Sequence, residues 1–540
     1  MDSAAGEIVG SVHEDDPTFL EPNSMQMREV DGHSLALVRT EKGVFAIDNA
    51  CPHQGYGLVT GELGVDGAGD AVVTCLWHNW KFRVNDGVCV LGEEDVACHH
   101  VMIDDAGTVR VRINRRSPEE QLSTLWPSLR SGIKNDYVGQ VARDTVRLLD
   151  NGATPAQVMA AALHATVEHT EDGADHEVAL AADCLAMAEE RSEDDRVLPL
   201  VVGMAGLAEQ TRDRAAVTAE PRTDGTLAEL IEIEDVHGAM GLAAALDLDT
   251  ARKEMVEAAA RHHLGYGHGA IYTQKVFEVL SRVGPALDSV LLPQLARSLT
   301  LMTREDLLPY MRKTTRAIAD VDLERLAESP RTVSKVPEHI VTEFLDAKDP
   351  GIERAAELAH QGLGVEGLID IASLGSARRM LRYRTSNELD VASNFNWLSI
   401  THGLTHARAT RWAWHNEPGP HSARMALHAL WLLHDTGRLE RREGSQQPRA
   451  DSDPALAQDR NGFARVLEDE AMDDRGGSFI VVAHLVKTAR AAAEESAAMN
   501  SLVPLQAAER FIRGDRRERF VARNVAESVR FVRTGTPPKR

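Results

Sequence analysis

The chain has 540 residues, too many for one ordinary core, and its 43% hydrophobic and 26% charged residues are those of a globular protein. A net charge of −24 excludes the basic surface that non-specific nucleic-acid or anionic-membrane binding needs, and no apolar run approaches a spanning helix. Five cysteines cannot form a disulfide framework, and the acidic start "MDSAAGEIVGSVHEDD" lacks a signal-peptide layout, so a reducing cytoplasm is expected.

From about residue 5 to 115, short apolar/polar alternations ("HSLALVRT", "GVFAIDN", "AVVTCLW", "GTVRVRI") are punctuated by "VDG", "EKG", "VNDG" and "DDAG". That pattern predicts a small antiparallel β domain over residues 1–115. After "INRRSPEEQ" the style changes. Residues 116–135 read as a linker, and 136–535 as an all-helical, histidine-rich domain with stretches such as "PAQVMAAALHATVEH", "ARKEMVEAAARHH" and "SARMALHALWLLHD". Residues 437–477 read as a long polar loop and 536–540 as a tail. The expected fold class is thus multidomain α+β: a small antiparallel-β domain, then a large all-α domain of diverged helix-pair repeats.

The repeat reading rests on two alignments. His164, His262 and His360 recur at equal intervals in similar surroundings, and "WLSITHGLTHAR" matches "FIVVAHLVKTAR" with His402 aligned to His484.

Within the β region stands Cys51-x-His53, followed by Cys75-x-x-His78. Two thiolates and two imidazoles suit either zinc or a two-iron cluster with both cysteines on one iron and both histidines on the other. The flanks argue against a zinc finger, because each loop carries one cysteine and one histidine on a β scaffold. "NACPHQGYGL", "CLWHNWKF" and "NDGVC" make residues 5 to 115 resemble a Rieske ferredoxin domain of the soluble, oxygenase-associated type. The resemblance implies a [2Fe–2S] cluster, with Cys51 and Cys75 on the inner iron and His53 and His78 on the outer one. Trp77, Trp80 and Phe82 are expected to keep water from it, and Cys89 and Cys98 to be ordinary small apolar residues. Asn79 departs from the glycine common in the family, and "GVDGAGD" lengthens the segment between the loops. Such a cluster passes single electrons, so an acceptor is needed.

The 22 histidines concentrate in the helical region as "LHATVEH", "RHHLGYGH", "THGLTH" and "LHALWLLH". A single histidine on an Ala-rich helix is ordinarily exposed or hydrogen-bonded in the core; recurrence at matched positions argues for a shared centre. His164, His262, His360, His402 and His406 are candidate ligands of a second iron, with Tyr266 near the substrate. Non-haem iron is preferred over haem because no Cys-x-x-Cys-His attachment occurs. Glu232, Glu234 and Asp235, ahead of His237, could complete a carboxylate-containing site, but read first as a solvated helix start.

Two families bear on this half. "NFNWLSITHGLTH" is superficially similar to the iron motif of large-subunit Rieske oxygenases, but that catalytic domain is built on β-sheet and its histidines are spaced one residue wider. Residues 130 to 535 resemble the questin oxidase-like family through "RHHLGYGHGAI" and "THGLTHARATRW". That resemblance implies a monooxygenase inserting oxygen into a cyclic or aromatic organic substrate. With no nicotinamide or flavin fingerprint in the chain, a separate NAD(P)H-dependent reductase is the expected electron source. The competing readings are a ferredoxin module on a helical scaffold that docks a redox partner, and a redox sensor.

Overall fold

The computed structural model describes residues 7–11, 21–114, 117–391, 393, 395–448, 458–473, 477–517 and 521–535. The chain divides into two compact units, Met1–Ser128 and Leu129–Arg540.

Among the described residues the first unit has ten strands: β1 (Glu7–Ser11), β2 (Ser24–Val30), β3 (His33–Thr40), β4 (Gly43–Asp48), β5 (Glu62–Val65), β6 (Ala71–Thr74), β7 (Lys81–Arg83), β8 (Cys89–Leu91), β9 (Cys98–Ile103) and β10 (Thr108–Arg112). One antiparallel sheet runs β1-β10-β9-β4-β3-β2, the other β5-β6-β7-β8. Strand β3 is buried on both faces, and its alternation assigns each residue to a core. Ala36 and Val38 join Leu58, Val73 and Phe82, while Leu35 and Leu37 join Ala46 and Val111. The Cys51 loop connects β4 to β5 and the Cys75 loop connects β6 to β7, so both cysteines drop into the first of these cores.

Where a linker is expected, residues Pro118–Lys134 form a helix. Ser117 Oγ and the Glu120 carboxylate close its first turn, and Leu125, Leu129 and Ile133 recur on one buried face. The second unit is helical, and among its described residues there is no strand. The expected polar loop over 437–477 is also shorter. Helix Pro420–Glu443 runs through Gly437, whose missing side chain leaves room for the Arg379 guanidinium that pairs with Glu440. Asp459 then caps helix Arg460–Ala471. Residues 449–457 and 474–476 of that stretch, and the expected tail 536–540, lie outside the described residues. Among the described residues no helix is long and apolar enough to cross a membrane.

Four helices form the centre of this unit: His176–Glu189, His268–Val283, Trp397–Asn416 and Phe479–Met499. The first packs on the second and fourth, and the third also packs on the second and fourth, closing a ring. His176–Glu189 is buried on every face from Glu177 to Ala188, as its Ala/Leu-rich sequence requires. Charged residues also lie inside the ring. Lys275 binds Asp183 and Glu278, each at 2.7 Å. Arg408 reaches Glu278 and Glu494, and Arg411 forks onto Glu495 at 2.8 Å while holding Asp370 at 2.9 Å. Every one of the four helices contributes a charge. Removing one partner strands another in a medium that cannot solvate it. Glu495→Ala is therefore expected to destabilise the helical unit by about 3–5 kcal/mol, measured as a lower denaturant midpoint in far-ultraviolet circular dichroism.

Candidate metal centres

In the first unit, two loops of like hydrogen bonding present the four candidate ligands. The Cys51 amide donates to Tyr56 O and the Gly55 amide to Cys51 O; likewise the Cys75 amide donates to Trp80 O and the Asn79 amide to Cys75 O. Gly55 (φ 77°) and Asn79 (φ 62°) thus occupy equivalent left-handed positions. Asparagine tolerates that conformation better than other residues with a side chain, which accounts for Asn79 standing where glycine is usual.

Cys51 and Cys75 are each 2% exposed, whereas His53 is half-buried and His78 exposed. The imidazole rings meet edge to face at 4.2 Å, and His53 stacks on Trp80 at 4.9 Å. Burial, reinforced by Cys75, pushes the Cys51 thiol up to about 11, so a bound cation is needed to hold thiolates here at neutral pH. Two adjoining buried sulfurs and two imidazoles closer to solvent fit a two-iron cluster with chemically different ends. Phe82 is buried and Trp80 half-buried beneath the loops. Trp77 does not shield the site: it is 60% exposed and stacks on Tyr56, and Leu76 beside it is 59% exposed. All five cysteines are free thiols.

The second unit gathers histidines from the four central helices. His176 and His268 are the first residues of their helices; His402 and His484 each stand sixth in theirs. Nε2 of His268 lies 2.9 Å from Nε2 of His402 and 3.2 Å from Nε2 of His176. One ligand atom from each of His176, His268 and His484 falls within 4.8 Å of the others, and the His484 ring is 5.1 Å from that of His402.

The outer nitrogens fix the tautomers. His268 Nδ1 donates to Gly265 O at 2.5 Å, His484 Nδ1 to Ile480 O at 2.7 Å, and His402 Nδ1 to Leu398 O. A carbonyl only accepts, so these Nδ1 atoms carry the protons and the Nε2 atoms present lone pairs to the centre. His176 Nδ1 lies 2.8 Å from the Tyr272 hydroxyl. Lone pairs at 2.9 Å repel unless a positive charge lies between them. Ligands about 2.1 Å from one metal ion stand about 3 Å apart, which is the spacing here. His484 Nε2 is buried with no hydrogen-bond partner, as a ligand atom awaiting a cation would be. Burial depresses all four imidazoles below their usual range, keeping the lone pairs unprotonated at neutral pH. Lys487, one turn beyond His484, has no hydrogen-bond partner, and burial lowers its amine to about 7.

Of the ligands proposed from sequence, His402 belongs to this cluster. His406, one turn on, faces a second group: the His263 ring lies 5.2 Å from His406, 5.4 Å from His428 and 4.9 Å from Trp431. His262 caps the end of helix Leu248–Arg261 with extended backbone, which turns its ring onto Asp306 (3.0 Å) and Glu232 (2.8 Å), an ion-pair site away from the cluster. Glu232 accordingly binds His262 and is more than a solvated helix start. His164 is exposed on helix Pro155–Thr166, and exposed His360 bonds Ser329 Oγ at 2.7 Å. Tyr266 is beside the cluster, its ring 5.8 Å from that of His402 and its hydroxyl donating to Asp435 at 3.0 Å. Sequence reasoning omitted His176, His268 and His484 as ligands. The alignment of His484 with His402 carried the signal for one, and the placing of His268 directly after Gly-Tyr-Gly for another.

Residues 13–102 match the family model of the Rieske [2Fe-2S] domain. Over 64 residues the chain is 39% identical to the oxygenase subunit of carnitine monooxygenase from Escherichia coli K12, covering 12% of this chain and 16% of that protein. Over 63 residues it is 40% identical to the ferredoxin component of the alkene monooxygenase system of Xanthobacter autotrophicus, covering 12% of this chain and 48% of that one. The chain thus spans less than half the length of these curated relatives. Among solved structures, the ferredoxin of carbazole 1,9a-dioxygenase from Nocardioides aromaticivorans is similar at 22% identity and a TM-score of 0.18, covering 21% of this chain and all of that one. The N-terminal unit is a Rieske-type domain with a redox role, followed by a large helical region.

Two outcomes are expected. Asn79→Gly keeps the visible absorption of the cluster, whereas Asn79→Val, forced into a left-handed position at about 1–2 kcal/mol, loses much of it. The second concerns His406 and His428, which burial lowers from 6.5 to about 4 and about 3. Between those values and 6.5 the folded protein binds fewer protons than the unfolded chain. Stability is therefore greatest above pH 6.5 and falls on acidification, by up to about 1.4 kcal/mol per pH unit for each histidine. Denaturation profiles should show a shallower acid slope in His428→Gln than in the wild type.

Proposed function

We propose that this protein is a Rieske-dependent monooxygenase in which the cluster held by Cys51, His53, Cys75 and His78 supplies electrons to a metal ion bound by His176, His268, His402 and His484. The observation that carries this reading is the approach of His268 Nε2 to Nε2 of His402 (2.9 Å) and of His176 (3.2 Å), with a ligand atom of His484 within 4.8 Å of those of His176 and His268, and three of the outer nitrogens anchored to backbone carbonyls. Bound at this site, a non-haem iron would supply oxygen activation; imidazole donors suit it well.

The chain's own residues do the rest. Histidines in the first two turns of four packed helices present their nitrogens neutral and fixed before any metal binds. Two of those helices begin at a ligand, so their positive dipole ends favour an anionic group beside the metal. Lys487, its amine lowered by burial to about 7, can hold or release a proton beside the imidazoles. Tyr266 presents a phenol beside His402 where a small cyclic or aromatic organic substrate would lie. At the other unit, exposed Leu76 and Trp77 flank His78 and offer an apolar rim to a separate NAD(P)H-dependent reductase.

Anaerobically purified full-length protein, assayed for iron, zinc and acid-labile sulfide and by electron paramagnetic resonance after dithionite reduction, tests the reading. Expected are a Rieske-type signal with two sulfides and one metal ion beyond the cluster irons. That extra ion should disappear in His268→Ala and His484→Ala while the Rieske signal persists. No metal beyond the cluster would overturn the oxygenase reading and leave a ferredoxin module on a helical scaffold.

A further inference from the structure

Beside the histidine cluster the helical unit holds an unbroken file of oxidisable rings. The Tyr266 ring lies 5.8 Å from His402, Trp431 lies 6.3 Å from Tyr266, and Tyr310 stacks on Trp431 at 6.1 Å and 15°. The file starts against a metal ligand and ends at a half-exposed tyrosine; Trp431 between them is 1% exposed.

Each tyrosine also has a proton acceptor in place. Tyr266 donates to Asp435 Oδ2 at 3.0 Å, and Tyr310 donates to Glu305 Oε2. Asp435 and Glu305 are both buried. Arg438 grips the other Asp435 oxygen at 2.7 and 3.0 Å and lies over the Tyr310 ring at 5.8 Å. A phenol is hard to oxidise while it keeps its proton, because a tyrosyl radical cation is very acidic; a hydrogen-bonded carboxylate removes that obstacle. A packing role explains three aromatic rings in a row. It does not explain two buried carboxylates, each bonded to one of the phenols. The backbone adds a second sign. Gly265, Tyr266 and Gly267 have φ of 54°, 57° and 97°, and a left-handed tyrosine is held only where its surroundings insist on it.

We infer that Tyr266, Trp431 and Tyr310 form a one-electron relay joining the metal centre to the protein surface, through which an oxidised centre that finds no substrate is returned to rest. The inference depends on the metal site proposed above. In the first step an electron passes from Tyr266 to the oxidised centre, and the phenol proton moves to Asp435, leaving a neutral tyrosyl radical and a carboxylic acid. Trp431 then gives an electron to Tyr266, which recovers its proton from Asp435. Tyr310 reduces the indole radical cation as its own proton moves to Glu305. A soluble one-electron donor of the thiol or ascorbate class refills Tyr310, whose proton returns. The sum is one electron from solution to the centre, with no net proton moved among the side chains.

The test uses full-length protein loaded with ferrous iron, mixed with hydrogen peroxide in the absence of substrate and freeze-quenched for electron paramagnetic resonance, with ring-deuterated tyrosine to assign the radical. Expected in the wild type is a tyrosyl signal from Tyr310, which Tyr310→Phe should replace with one from Tyr266. Trp431→Phe should confine the radical to Tyr266, so that adding Tyr266→Phe abolishes it. Trp431→Tyr, which restores an oxidisable ring in the gap, should return the Tyr310 signal; a packing role for Trp431 predicts no such rescue. An unchanged radical in Trp431→Phe and Tyr310→Phe, with iron bound as in the wild type, would overturn the relay alone. Iron no higher than in His268→Ala would overturn the metal site and the relay with it.

Discussion

His268, His402 and His484 each give the Nδ1 proton to a backbone carbonyl, so their Nε2 lone pairs face inward and repel one another. The helical unit brings two pairs of Nε2 atoms to 2.9 and 3.2 Å, with the opposite nitrogens of His268, His402 and His484 held by backbone carbonyls and that of His176 by the Tyr272 hydroxyl. Everything nearby serves that imposed proximity. The helices are Ala-rich, so they can approach closely, and their own charged residues tie them together farther along. A cation placed at the centre turns the repulsion into coordination, and folding and metal binding then reinforce each other.

The two units solve opposite problems. In the Rieske-type domain the ligands sit on loops above a small sheet core, with sulfurs buried and one imidazole exposed, as suits a group that must exchange electrons with other molecules. In the helical unit the four clustered histidines come from regular helices, His402 and His484 buried and His176 and His268 partly so. That arrangement suits chemistry from which water is kept away.

Much of the β domain was legible because its signals are local. Strand alternation, turn residues and the Cys51/His53 and Cys75/His78 spacing each operate within a few positions. The change from strands to helices was legible too, but its start was not: the helix Pro118–Lys134 stands where a linker over 116–135 was expected. The second site was not, because its ligands are 92, 134 and 82 residues apart along the chain and meet only through packing. Helical spacing nominated His406 together with His402, but position i+4 on a buried helix looks into the next layer of packing rather than the same cavity. His164, His262 and His360 recur evenly, yet two are exposed and one is bound by carboxylates. The alignment that did place a ligand, His402 with His484, compared whole helices rather than single residues: both stand sixth, and both donate Nδ1 one turn back.

The left-handed turn at Gly265-Tyr266-Gly267 has a bearing on how such proteins drift in sequence. A tyrosine there strains the backbone on the order of 1–3 kcal/mol, while asparagine or glycine would relieve it. His406 lies so close to Gly267 that a side chain at 267 would collide with it. Selection for stability alone would erase the aromatic and leave the flanking glycines, so a lineage that abandons the chemistry should show its loss first at position 266. An aromatic kept between two such glycines, directly before a helix that opens on histidine, is then a mark by which working members can be told from relics.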